Sequence, residues 1–129
     1  MIATGKFSAM IVLAALLAMG CSPTGGPEGG GGSSFSDDVQ PIFDGRCVIC
    51  HEGGDLDLSA AHSYSNLVGV ASSAYALDRV QPFDPDFSLL YHKVSGNEYG
   101  ERMPLDSEPL PASAVESIRL WIEEGALAN

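Results

Sequence analysis

The sequence predicts a small all-α domain with long loops. Three stretches carry that prediction. Phe35, Val39, Ile42 and Phe43 recur at the spacing of one helix face, as do Phe87, Leu90 and Val94, and again Val115, Ile118, Trp121 and Ile122. Between them lie segments rich in glycine and proline, which interrupt regular structure. No internal repeat is visible, and 129 residues suit one folded domain.

In chain order, residues 1–20 read as an export signal. A short start bears Lys6 as its single charge, an uncharged apolar run follows from residue 9 to residue 19, and Gly20 and Cys21 close it. The run is shorter than the roughly 20 apolar residues of a spanning helix, which disfavours an uncleaved anchor. Leu17-Ala18-Met19-Gly20-Cys21 resembles a bacterial lipobox. That resemblance implies a lipid on Cys21 as the first mature residue, and Ser22 after it is compatible with an outer-membrane location facing the periplasm. The alternative for Cys21 is an unlipidated thiol near a cleavage site.

Residues 22–34, SPTGGPEGGGGSS, offer no apolar side chain to bury. With Cys21 they read as a lipidated, flexible linker, whose thirteen residues reach roughly 20 Å root-mean-square. The folded domain is expected over residues 35–129. Its first helix should start at Asp37 or Asp38, because Pro41 is tolerated only in a first turn. Residues 52–55 form a turn, and Leu56 and Leu58 fold inward after it. Residues 60–70 suggest a short helix with Tyr64, Leu67 and Val68 inward. Residues 71–85 read as a loop. Asp86 is the expected cap of the next helix, which ends at Gly96, and a proline-rich loop covers residues 101–111. The last helix runs from about Ala112 to Glu124 and stops at Gly125. Glu123 and Glu124 sit at its carboxyl end, where the dipole disfavours them.

The chemistry is concentrated in Cys47-Val48-Ile49-Cys50-His51. Cys-x-x-Cys-His is the attachment pattern of a c-type haem. Each thiol can add to one vinyl group of the same porphyrin edge, and the adjacent imidazole then reaches the iron. The competing readings fit less well. A Cys-x-x-Cys redox switch expects a βαβ context, and a zinc site needs two further ligands. His62 and His92 are the other histidines, and no third cysteine lies nearby. The three cysteines are accounted for by one lipid and one haem.

One axial position then needs a second ligand. Met103, in Gly100-Glu101-Arg102-Met103-Pro104-Leu105, is the favoured residue. A thioether is a soft ligand that raises the potential and suits electron transfer, and Pro104 stiffens its loop. Ordinary core filling is the alternative for this methionine. His92, one residue off an apolar stripe, is expected to be solvated, and His62 lies in a polar run. Either would give a bis-histidine haem. Arg102 can neutralise a haem propionate, although an incidental, solvated place beside the ligand suits it better. Trp121 can donate to one, although packing against the first helix suits it better.

The charge of −11 narrows the partners. Loss of residues 1–20 removes Lys6 alone and makes the remainder one unit more acidic. Such a chain lacks the basic patch that nucleic acid requires. Its acidity serves solubility or steers a redox protein with a basic docking surface.

FSDDVQPIFDGRCVICH, SLLYHKVSG, GERMPL and IRLWIEEGA together resemble small class I cytochrome c domains over residues 35–129, in particular single-haem cytochrome c lipoproteins of bacteria. The resemblance implies that the first and last helices cross beside the haem. It also implies His51 and Met103 as the iron ligands, the metal-binding pair. His92 stands where an apolar or basic residue is more usual. The expected function is electron transfer without enzymatic activity. The alternative is a haem-based ligand sensor or small peroxidase with a displaceable sixth ligand.

Overall fold

The computed structural model describes residues 31–129. The signal segment, Cys21 and the linker through residue 30 lie outside the described residues. Among the described residues the fold is helical, with no β-strand. No helix among them is long and apolar enough to cross a membrane.

A wide π-helical turn, Phe35–Val39, runs directly into α1, Gln40–Arg46. It begins earlier than Pro41 alone suggests. Ser34, counted with the linker on composition, caps the turn by accepting from the Asp37 N–H. The first amides find their acceptors at the other end of the chain. Phe35 N donates to Asn129 Oδ1 at 2.9 Å and Ser36 N to the Asn129 carbonyl at 2.8 Å. These satisfy helix-start donors that have no intrahelical partner. Pro41 sits exposed just inside α1, where its missing N–H leaves no buried acceptor in want.

Three further α-helices follow: α2, Ser63–Leu67; α3, Leu89–Ser95; and α4, Ala112–Glu123. The start of α3 departs from expectation. Asp84, not Asp86, provides the side-chain cap, and it caps a separate 3-10 turn, Pro85–Phe87. Ser88 is extended (φ −107°, ψ 112°), so the helical phase is broken there. Val94 is buried and Leu90 packs against the core, whereas Phe87 is 60% exposed. The loop at residues 71–85 is tied down by isolated bridges, Val68 to Val80 and Asp78 to Ser88.

The core lies where the N-terminal segment packs on α4. Phe35 stands 5.1 Å from Trp121 and 5.2 Å from Tyr64, ring centre to ring centre, with Val39, Phe43, Ile118 and Ile122 buried around them. α4 ends as its sequence predicts. Gly125 (φ +104°) donates to the Ile122 carbonyl and Ala126 to the Trp121 carbonyl, the paired bonds of a left-handed cap. Glycine is required there on a second count, since a Cβ would lie 2.6 Å from the Phe83 ring. The two terminal glutamates are offset by partners. Glu123 pairs with Arg119, and Glu124 accepts from Ser33 N at 3.0 Å.

Candidate functional site

A cavity of about 290 Å³ opens beside α1 and α3. Leu56, Leu58, Leu67, Leu89, Leu90 and Val94 give it apolar walls, and Cys47, His51 and Met103 line it as well. Residues 47 and 51 are brought there by continuation of α1. Cys47 N and Val48 N both donate to the Phe43 carbonyl, at 2.8 and 3.0 Å. Cys50 N and His51 N then both donate to the Cys47 carbonyl, at 3.0 and 2.9 Å. That turn sets the two cysteines and the histidine on one short arc. Leu58 N donates back to the His51 carbonyl at 2.7 Å, which closes the 52–57 loop against the cavity. Neither ring nitrogen of His51 has a hydrogen-bond partner among the described residues.

A buried polar relay fixes this arc to the rest of the fold. Ser63 Oγ donates to Gln40 Oε1 at 2.6 Å, and Gln40 Nε2 donates to Leu58 O at 3.2 Å and Asp44 Oδ1 at 2.8 Å. Gln40 therefore joins α1, α2 and the loop that follows His51. The local sequence shows only its i,i+4 pairing with Asp44; the Leu58 and Ser63 partners lie 18 and 23 residues away and leave no local mark. Gln40→Ala leaves the Ser63 hydroxyl and the Leu58 carbonyl without it, at a cost of about 2 kcal/mol. Thermal unfolding should show a melting temperature lower by roughly 10 °C. A change below about 2 °C would remove the relay from the list of contacts that hold the site.

The two thiols differ. Cys50 is exposed; Cys47 is half-buried, and burial pushes its pKa up to about 11, against a smaller opposing effect of Arg46. In protein made without haem, iodoacetamide should label Cys50 first, with Cys47 slower by at least about tenfold at pH 8. The pH dependence of stability follows the same sign. A thiol whose pKa is raised on folding keeps its proton after the unfolded chain has lost it. Cys47 therefore lowers stability as pH rises from its ordinary 9.0 toward about 11, and leaves it unaffected below that window.

Met103 lines the cavity from the loop after α3. Its N–H donates to the Lys93 carbonyl at 2.7 Å. The remaining histidines lie outside the cavity wall. His62 is exposed, with Nδ1 3.2 Å from Asp57 Oδ2 and 3.3 Å from Ser59 Oγ. Both contacts fall on one nitrogen, so the trio does not form a relay for nucleophilic catalysis. His92 is not the solvated residue that its position off the stripe suggests. Its side chain is 15% exposed, Nε2 donates to the Asp86 carbonyl at 2.8 Å, and the ring packs 4.6 Å from that of Tyr99. A pair of aromatic rings takes up a face that periodicity assigns to solvent.

The cations at the cavity come from outside the methionine loop. Arg102 is exposed and lines a separate shallow groove with residues 104–107. Arg79 and Lys93 line the cavity instead. Arg79 Nη1 donates to the carbonyls of Asp55 and Asn66 at 3.0 Å each, and Nη2 pairs with the Asp55 carboxylate. It is held in the wall by the bridges of the 71–85 loop, which have no local sequence signature. The Trp121 indole N–H donates to the Leu127 carbonyl at 2.9 Å, so its donor is engaged within the protein.

Among the described residues, no group of three or more His, Cys, Asp or Glu is arranged to hold a metal ion. His51 and Met103, one imidazole and one thioether, make no such group. Comparison of the chain with protein-family models, with curated proteins and with solved structures finds no match.

Proposed function

We propose that this chain is a single-haem cytochrome of the class I c type, an electron carrier tethered to a membrane through a lipid on Cys21. One observation carries the reading. Cys47 and His51, the two ends of the Cys47-x-x-Cys50-His51 arc, line an apolar cavity, Met103 lines the same cavity from another loop, and Cys50 is exposed between the two ends. The donor set suits the group: two thiols for thioether bonds, a neutral imidazole and a soft thioether for iron, and leucine walls for the porphyrin face. Bound haem c would supply one-electron chemistry; Cys47 and Cys50 would attach it, and His51 and Met103 would hold its iron. With His51 and Met103 both engaged, no position is left for a substrate, which fits a carrier rather than an enzyme. Lys93 adds positive charge at the cavity, where haem propionates need neutralisation, while the charge of Arg79 is already offset by Asp55 in the same wall.

The acidic surface fits a redox partner with a basic docking face, and the export signal with the lipobox fits a periplasm-facing outer-membrane location. The deciding experiment is expression in a periplasm that contains haem-maturation machinery, followed by a pyridine haemochrome assay. The expected result is one covalent haem per chain, lost in Cys47→Ser with Cys50→Ser. A chain that matures without covalent haem ends the cytochrome reading. Ready carbon monoxide binding by the reduced wild-type protein would favour a ligand sensor over a carrier.

A further inference from the structure

We infer that Lys93, Tyr75 and Gly100 form a clamp that positions Met103 toward the cavity; the inference rests on the reading of Met103 as an iron ligand. Lys93 holds the methionine loop at two points. Its carbonyl accepts from Met103 N at 2.7 Å, and its ammonium donates to the Glu101 carbonyl at 3.5 Å. The same ammonium lies 5.2 Å from the centre of the Tyr75 ring, within the range of a cation–π contact. Tyr75 in turn packs edge-on against Tyr99 at 5.6 Å, immediately before Gly100. Tyr75, Lys93 and Met103 all line the cavity.

Gly100 is the residue that lets the loop come this close. Its φ of +87° lies in the left-handed region that glycine adopts without penalty. A Cβ on it would stand 2.8 Å from Tyr75 Oη and 3.3 Å from Lys93 Nζ. Any larger residue must push the loop outward or displace the tyrosine. Met103 is only three positions further along and has a single backbone bond to α3. Outward movement at residue 100 is therefore passed to the Met103 N–H and from there to its sulfur. Tyr75, Lys93 and Gly100 act through Met103 and are positioning residues.

The test uses the full-length holoprotein and compares Gly100→Ala, Tyr75→Phe, their combination and Lys93→Met. Three quantities are read: the far-red band of methionine-ligated ferric haem, carbon monoxide affinity of the reduced form, and hydrogen exchange of the Met103 amide. Gly100→Ala should at least halve the band, raise carbon monoxide affinity about tenfold and speed Met103 exchange about tenfold, with α4 amides unchanged. Tyr75→Phe should rescue part of each effect in the combination, because it removes the oxygen that the new Cβ meets. Lys93→Met should shift all three in the same direction by less, and it provides the reading if Gly100→Ala does not fold. Unchanged Met103 exchange in both Gly100→Ala and Lys93→Met overturns the clamp, whatever the haem reports. A wild-type protein without the far-red band overturns Met103 ligation instead, while amide exchange still judges the clamp.

Discussion

Met103→Ala is expected to lower the reduction potential by on the order of 0.2 V, a fraction of the roughly 0.8 V that axial ligation spans. A thioether favours the reduced, less charged iron, so its loss stabilises the oxidised form. Alanine cannot replace it, and the other candidate side chains are poorly placed to step in. His62 and His92 lie outside the cavity wall, and His92 is committed to the Asp86 carbonyl and the Tyr99 ring. The variant should therefore gain an accessible coordination position, bind carbon monoxide when reduced, and lose the far-red band. Covalent attachment should persist, since the Cys47–His51 turn depends on the Phe43 and Cys47 carbonyls and not on the 96–103 loop. Spectroelectrochemical titration of wild type and variant decides the matter. Equal potentials in the two proteins would return Met103 to the role of core filler.

Much of this arrangement is legible locally. The stripes of the first and last helices are read from apolar spacing alone, and the terminating Gly125 from its position after α4. The Cys47–His51 arc is likewise a local matter, five residues continuing a helix. What the sequence hides is long-range. Arg79 enters the cavity wall because Val80 bridges to Val68 and Asp78 to Ser88, single pairings that leave no periodic trace. Gln40 looks like a solvated helix residue, yet it is 7% exposed because Ser63 and Leu58 come to it from two other segments. Phe87 errs in the opposite sense. Its spacing from Leu90 and Val94 is helical, but the extended Ser88 between them resets the phase and turns the ring outward. The charge pattern is similarly uninformative about Arg102 and Arg79. Two arginines of equal composition end on a surface groove and in a cavity wall through loop pairing alone.

The second large effect lies in the core. Trp121→Ala should destabilise the domain by about 3–5 kcal/mol, the usual range for truncation of a fully buried large aromatic. Trp121 is 1% exposed and packs at 5.1 Å on Phe35. Its loss removes that contact, the indole bond to Leu127 and the wall that holds the N-terminal turn against α4. Against a total stability of about 5–15 kcal/mol for a domain, the variant is left near its folding threshold. The melting temperature should fall by roughly 15–30 °C. Trp121→Phe keeps most of the buried ring and gives up the indole donor; because Leu127 lies on the exposed terminal segment, its carbonyl can turn to water, and the loss should stay near 1 kcal/mol. The contrast separates packing from hydrogen bonding. It also bears on the site, because the segment packed on Trp121 continues through α1 into Cys47. A loosened α1 should expose the Cys47 thiol in haem-free protein and narrow its alkylation gap to Cys50, in Trp121→Ala but not in Trp121→Phe. Equal alkylation gaps in the two variants would mean that the core and the cavity arc are held independently.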